Sequence, residues 1–183
     1  MIMGKYSDFE RKENDKYYTP YDAVVPLIPH IFAPYSARGY KATFVEPCAG
    51  DGRLVRHLQK HDHKCLFACD IEPENDPHNS FQIERQDVLF FNYQLPKADL
   101  IITNPPWKRE TLHEMIEAFR LQMPTWLLFD ADWAFTKQSI PYRKHCKYIL
   151  PVGRISWEGN GVCGKEACAW YLFLKEECET VFL

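Results

Sequence analysis

The sequence predicts an α/β chain folded as a doubly wound, mostly parallel sheet. Three observations carry that expectation. Short runs rich in β-branched and aromatic residues recur at 42–46, 64–69, 81–86, 99–103 and 126–129, each followed by a loop or a helical pattern. The first run ends in a glycine turn, Pro47-Cys48-Ala49-Gly50-Asp51-Gly52, that opens an amphipathic stretch from Arg53. Acids or an amide close the other runs, at Asp70, Asp87, Asn104 and Asp130, which is the sheet edge where open α/β folds take their ligands. Two further runs, 148–152 and 169–174, read as a closing strand pair.

Composition narrows the class. A hydrophobic fraction of 46% over 183 residues is enough for one globular core and argues against a disordered chain. With a net charge of −3, the chain has no global attraction for polyanions, so a nucleic-acid partner would require a local basic patch. The chain has no apolar run long enough for a membrane span, and its first ten residues lack a signal core. An odd count of seven cysteines fits a reducing cytoplasm, so the chain is expected to be intracellular with no membrane partner.

Residues 1–16 are charged and aperiodic and are expected to be flexible, leaving 17–183 as a single domain. Thr19 before Pro20 reads as a helix cap, the helix running through Tyr21, Val24, Val25, Leu27 and Ile28 and disturbed by Pro26 and Pro29. Residues 34–41 read as a linker. Helical spacing of Leu112, Met115, Ile116, Phe119 and Leu121 predicts a helix over 110–121. The stretch 139–147 is the densest basic cluster, and the glycine-bearing loop 153–165 carries Trp157.

The glycine turn matches neither common phosphate cradle. Val55 stands where a dinucleotide fingerprint wants its third glycine, and Arg53-Leu54 stands where a P-loop wants Lys-Ser/Thr. With Glu46 at the strand end, the turn suits a cationic, ribose-bearing cofactor, and the helix start beyond it offers unpaired N–H groups. Asp70 falls twenty residues past Gly50, the spacing of an acid that bonds ribose hydroxyls. Ile71 can then cover an adenine face and Asp87 can accept the adenine amino group. Further on, Asn104-Pro105-Pro106-Trp107 is a proline-stiffened loop at a strand end. It offers carbonyl acceptors for an amino group and an indole for its ring. His61, His63, Cys65 and Cys69, and His145, Cys146, Cys163 and Cys168, lack metal-ligand spacing, so no metal is expected. Cys48 reads as a small residue in a tight place, not a nucleophile.

In these motifs the chain resembles the class I S-adenosylmethionine-dependent methyltransferases over residues 17–174. The order of the Thr-Pro segment, the glycine turn and Asn-Pro-Pro-Trp looks like the γ arrangement of the DNA N6-adenine enzymes. The resemblance implies a seven-stranded Rossmann-like sheet with an antiparallel terminal strand, and S-adenosyl-L-methionine as cofactor. Tyr18 and Thr19 would meet its methionine end. Glu46, Pro47, Cys48, Ala49 and Gly50 would line methionine and ribose, Asp70 and Ile71 the ribose and ring, and Asp87 with Val88 the adenine. Asn104 and the Pro105 carbonyl would take the target amine's hydrogens, with Pro106 completing the rigid turn and Asn104 also bordering the cofactor. Trp107 would stack on a flipped base, with Lys108 and Trp157 beside it. A basic patch of Lys108, Arg109, Arg143, Lys144 and Lys147 could hold the nucleic acid.

The expected substrate is adenine N6 in DNA, ahead of RNA. The family's DNA enzymes usually carry a separate target-recognition domain, whereas residues 108–183 are needed to finish this sheet. The expectation is therefore low intrinsic sequence specificity, or a protein partner that supplies recognition, as in a bacterial or phage-like setting. An RNA N6-adenine enzyme, a protein glutamine N-methyltransferase and a silent binding subunit stay open.

Overall fold

The computed structural model describes residues 17–31, 41–74, 76–90 and 93–183, so the expectations for 1–16 and for most of the linker fall outside it. Among the described residues one sheet carries eight strands: β1 (Thr43–Glu46), β2 (Lys64–Asp70), β3 (Glu84–Arg85), β4 (Leu100–Thr103), β5 (Thr125–Asp130), β6 (Cys146–Gly153), β7 (Cys168–Phe173) and β8 (Val181–Phe182). Their order is β3-β2-β1-β4-β5-β7-β6-β8. Strands β1 to β5 are parallel, and β7 runs antiparallel to both β5 and β6. The chain steps outward from β1 to β3 and then returns to β4 on the other side of β1. That reversal leaves a crevice at the carboxyl ends of β1 and β4.

The sheet is doubly wound because its central strands are buried on both faces. Side chains alternate along a strand, so a continuous apolar run feeds two cores. In β5, Trp126 and Leu128 join one core while Leu127 and Phe129 join the other; in β7, Trp170 and Leu172 oppose Tyr171 and Phe173 in the same way. The first core is completed by α1 (Tyr21–Val24) and α2 (Arg53–Gln59), which contribute Val24, Leu54 and Leu58. The second is completed by α3 (Arg109–Arg120) through Leu112, Ile116 and Phe119, beside the short α4 (Ile140–Arg143). In that core Phe129 stacks on Tyr171 at 4.1 Å and Trp133 meets both edge-on.

Several expectations are corrected. The N-terminal helix is only four residues long, with a 3-10 turn at Ile28–His30, because Pro26 and Pro29 withhold the amides needed to extend it. Thr19 does not cap it: Pro20 occupies the cap position and no side chain bonds there. The run at 81–86 shrinks to two strand residues, both exposed. The sheet has eight strands, not seven, because Val181–Phe182 adds itself parallel to β6; two residues are too few to show alternation in sequence.

The basic residues do not form one patch. Cys146 pairs with Phe173, which pairs with Thr125, so β6 begins at the sheet edge opposite the crevice. Arg143 and Lys144 lie just before it and Lys147 just inside it. Lys144 pairs with Glu177, and Lys147 lies over Tyr148. Lys108 and Arg109, by contrast, come after β4 at the crevice edge, where Arg109 pairs with Asp130. Among the described residues no helix is long and apolar enough to cross a membrane. All seven cysteines are free thiols.

Candidate active site

At the crevice lies a cavity of about 390 Å³. Its floor is the turn after β1. Gly50 (φ +53°) and Gly52 (φ +77°) hold left-handed backbone that side chains rarely adopt. A Cβ at Gly50 would stand 3.2 Å from the Tyr18 ring, and one at Gly52 2.8 Å from the Phe81 ring. Asp51 organises the start of α2. Its Oδ1 accepts the Arg53 amide at 2.8 Å, and its carboxylate pairs with Arg53 and Arg56. The first amide of α2 is therefore taken by the chain itself. Asp51 carried a visible signal, since an acid two residues before a helix is a ready capping group.

Every residue expected to hold the cofactor borders this cavity. Tyr18 and Thr19 form one wall, Glu46, Pro47, Cys48, Ala49 and Gly50 the floor, and Asp70 with Ile71 the next side. Asp87 and Val88 close the far end, and Asn104 faces them from the end of β4. Asp70 is fixed in place: Oδ2 accepts the Gly50 amide and Oδ1 the Glu72 amide, each at 2.8 Å. Ile71 is half exposed at the mouth, as a ring-covering side chain would be. Cys48 is a protected thiol: burial, then the Asp70 charge, push it well above its ordinary range.

Glu46 is the least comfortable member. It is 1% exposed, and its Oε2 is buried without a hydrogen-bond partner. Burial, then the charges of Asp70 and Asp51, push its carboxyl well above the ordinary glutamate range. A buried acid with an orphaned oxygen in the floor of a cavity fits a ligand that brings a cation.

The acceptor side is built around Asn104. Its Nδ2 donates to the Tyr17 carbonyl at 2.9 Å, and its Oδ1 accepts the Trp107 indole N–H at 3.2 Å. Trp107 meets Trp157 edge-on at 5.7 Å, and Trp157 meets Tyr17 at 6.0 Å. Three aromatic rings thus gather beside the amide, two of them expected. Pro106 borders the cavity, whereas Pro105 is buried behind it. Lys108 is exposed and pairs with Glu110. Tyr17 had no motif to reveal it, because its contribution is a backbone carbonyl. Thr111, Glu114 and Met115 also reach the cavity, on the first turns of α3. Their helical spacing was legible, but which face meets the cavity was not.

The segment Tyr17–Pro20 works as a strap. Tyr17 holds Asn104, while the next residue lays its ring against Gly50, with the Arg53 guanidinium 5.1 Å from the ring centre and its hydroxyl donating to Glu74. Further along, the Trp170 indole pins the segment to the sheet by donating to the Ala23 carbonyl at 2.7 Å.

This chain superposes on solved structures. The fold is that of the class I methyltransferases. A protein provisionally described as a class I S-adenosylmethionine-dependent methyltransferase from Listeria monocytogenes superposes with a TM-score of 0.60 at 12% identity, over 88% of this chain and 64% of its own. A protein provisionally described as an RNA methyltransferase from Pyrococcus horikoshii gives 0.61 at 15%, over 89% of this chain and 88% of that one. The methyltransferase subunit of a type I restriction-modification system from Streptococcus thermophilus gives 0.59 at 10%, over 91% and 47%. The chain therefore spans less than two thirds of the length of the first and third of these relatives. No family model matches the chain, and no curated protein is similar to it in sequence. At such identities the likeness carries the methyltransferase fold alone.

Proposed function

We propose that the chain is an S-adenosyl-L-methionine-dependent methyltransferase acting on the exocyclic N6 of adenine in DNA. The observation that carries this reading is the position of Asn104: its carboxamide borders the cavity of Glu46 and Asp70 on one side and the rings of Trp107 and Trp157 on the other. The cofactor fits on the chain's own terms. Glu46 suits its cationic end, Asp70 lies beside the glycine turn where a ribose would lie, and Ile71, Asp87 and Val88 border the remaining length. When bound, the cofactor supplies an electrophilic methyl group: the amine lone pair forms the new N–C bond, the C–S pair returns to sulfur, and the amine proton passes to water.

The protein's part is positioning and electrostatics. Asn104 Oδ1 has a second lone pair beyond the one used by Trp107, so it can accept an amine hydrogen and aim the nitrogen lone pair away from itself. Trp107 supplies a ring for stacking, worth about 1–3 kcal/mol per base against the few kcal/mol spent unstacking it from a duplex. No covalent enzyme intermediate is needed, and Cys48 is not placed as a nucleophile.

Incubation with methyl-labelled S-adenosylmethionine and DNA, RNA or protein, followed by nucleoside and peptide analysis, tests the reading. Label is expected as N6-methyladenine in DNA. Label confined to RNA, or to a glutamine side chain, would replace the substrate; no label with any acceptor, despite cofactor binding, would make this a binding subunit. Methylation is expected to show low sequence specificity across DNA duplexes of varied sequence.

A further inference from the structure

We propose that Glu46 is the charge-selecting residue of the cavity, exchanging its proton for a cationic group of the bound nucleoside, so that a cation-bearing nucleoside releases a proton on binding and a neutral one does not. The inference deepens the proposed cofactor site and rests on that reading.

Its ground is geometric. Glu46 ends β1, lines the cavity and is almost wholly removed from water. One carboxyl oxygen is buried with no hydrogen-bond partner. A buried carboxylate in that position would lack both solvent and a counter-ion. The charged groups around it make matters worse. Asp70 at the end of β2 and Asp51 in the turn are both acidic, and backbone amides or arginines fix both in place. The cation that acts on Glu46, Arg56 of α2, is already engaged by Asp51 and Asp76. The remaining titratable neighbours are the thiols Cys48, Cys65 and Cys69, which burial keeps protonated. Strand β4 contributes no titratable side chain. With nothing bound, the cheapest state is therefore a neutral carboxyl. A ligand cation at the floor reverses the balance: it gives the orphaned oxygen a partner and offsets the two flanking acids, and the proton leaves to solvent.

A consequence is discrimination by charge. S-adenosylmethionine carries an ammonium and a sulfonium, S-adenosylhomocysteine only the ammonium, and methylthioadenosine neither. Calorimetric titrations of the three into the full chain, in buffers of low and high ionisation enthalpy near neutral pH, read the number of protons released. Release is expected with S-adenosylmethionine and not with methylthioadenosine. Release that persists with S-adenosylhomocysteine assigns the cation as the ammonium; release lost with it assigns the sulfonium. In Glu46→Gln the release is expected to vanish and affinity for S-adenosylmethionine to fall by about tenfold or more, equivalent to about 1.4 kcal/mol. Affinity for methylthioadenosine should stay within about twofold in that variant, which also verifies that its cavity is folded. The proposal is overturned if the wild-type chain binds S-adenosylmethionine without releasing a proton, if Glu46→Gln releases as many, or if the variant weakens all three ligands alike. Failure of the wild-type chain to bind any of the three overturns the cofactor reading itself.

Discussion

Asn104 and Glu46 are both polar residues at strand ends, yet their environments give them opposite tasks. Asn104 is oriented by the chain, with Tyr17 taking its N–H and Trp107 donating to its oxygen. Replacing it by alanine removes the proposed acceptor for the target amine, and on that proposal methyl transfer should fall by roughly 10²–10³-fold, the usual loss for a positioned charge-stabilising group. Cofactor affinity, measured in parallel, should change only a few-fold; an equal loss of both would remove the assigned role. Glu46 instead carries a cost to the empty protein. Its folded-state affinity for a proton exceeds that of an ordinary carboxyl of 4.5, so the folded form holds a proton that the unfolded chain sheds. Stability attributable to this group is therefore intact at pH below 4.5 and is lost as pH rises toward its folded value. Glu46→Gln should accordingly melt higher than the wild type at neutral pH without cofactor, with the difference closing in acid. A melting temperature that drops at neutral pH would contradict this account. The carboxylate was visible in the sequence as a strand-end acid; its orphaned oxygen was not, because that depends on what Asp51 and Arg56 do elsewhere.

The elements were legible where the chain is apolar on both faces and less so where a few residues decide. Runs feeding two cores announced β1, β2, β4, β5 and β7, and α3 matched its predicted span to within one residue at each end. Strand β3 keeps only two residues of the run predicted at 81–86, and β8 is a two-residue addition held by β6 that no local pattern specifies. The N-terminal helix stops short of its predicted span because two prolines outweighed its apolar spacing. A buried long-range bond, Trp170 Nε1 to the Ala23 carbonyl, ties that segment to the sheet. Trp170→Phe keeps the ring but strands a buried carbonyl, which should cost about 1–3 kcal/mol. Chemical denaturation would measure the loss, and hydrogen exchange should rise first in Tyr21–Val24. Unchanged exchange there would mean that packing alone retains the strap.

Across the whole molecule, register redistributes the charge that sequence proximity had grouped together. Lys144 and Lys147 stand at the sheet edge away from the cavity. Besides Arg109, which is paired with Asp130, the acceptor edge carries Lys108 after β4 and Arg154 and Lys165 in the loop joining β6 to β7. Charge reversal at these three should weaken DNA binding and flatten its salt dependence by about 0.9 log unit for each phosphate no longer neutralised. Reversal at Lys144 and Lys147 should leave both unchanged, as fluorescence anisotropy over a salt series would show. The strap has a consequence at the same scale. Two adjacent residues, Tyr17 and Tyr18, grip the acceptor amide and the glycine turn respectively. If the proposed donor and acceptor occupy these places, a ligand that shifts either residue strains the other's grip through one peptide unit and the two are coupled. Linkage makes that dependence reciprocal: by whatever factor the methyl donor alters the affinity for the acceptor, the acceptor alters the affinity for the donor by the same factor.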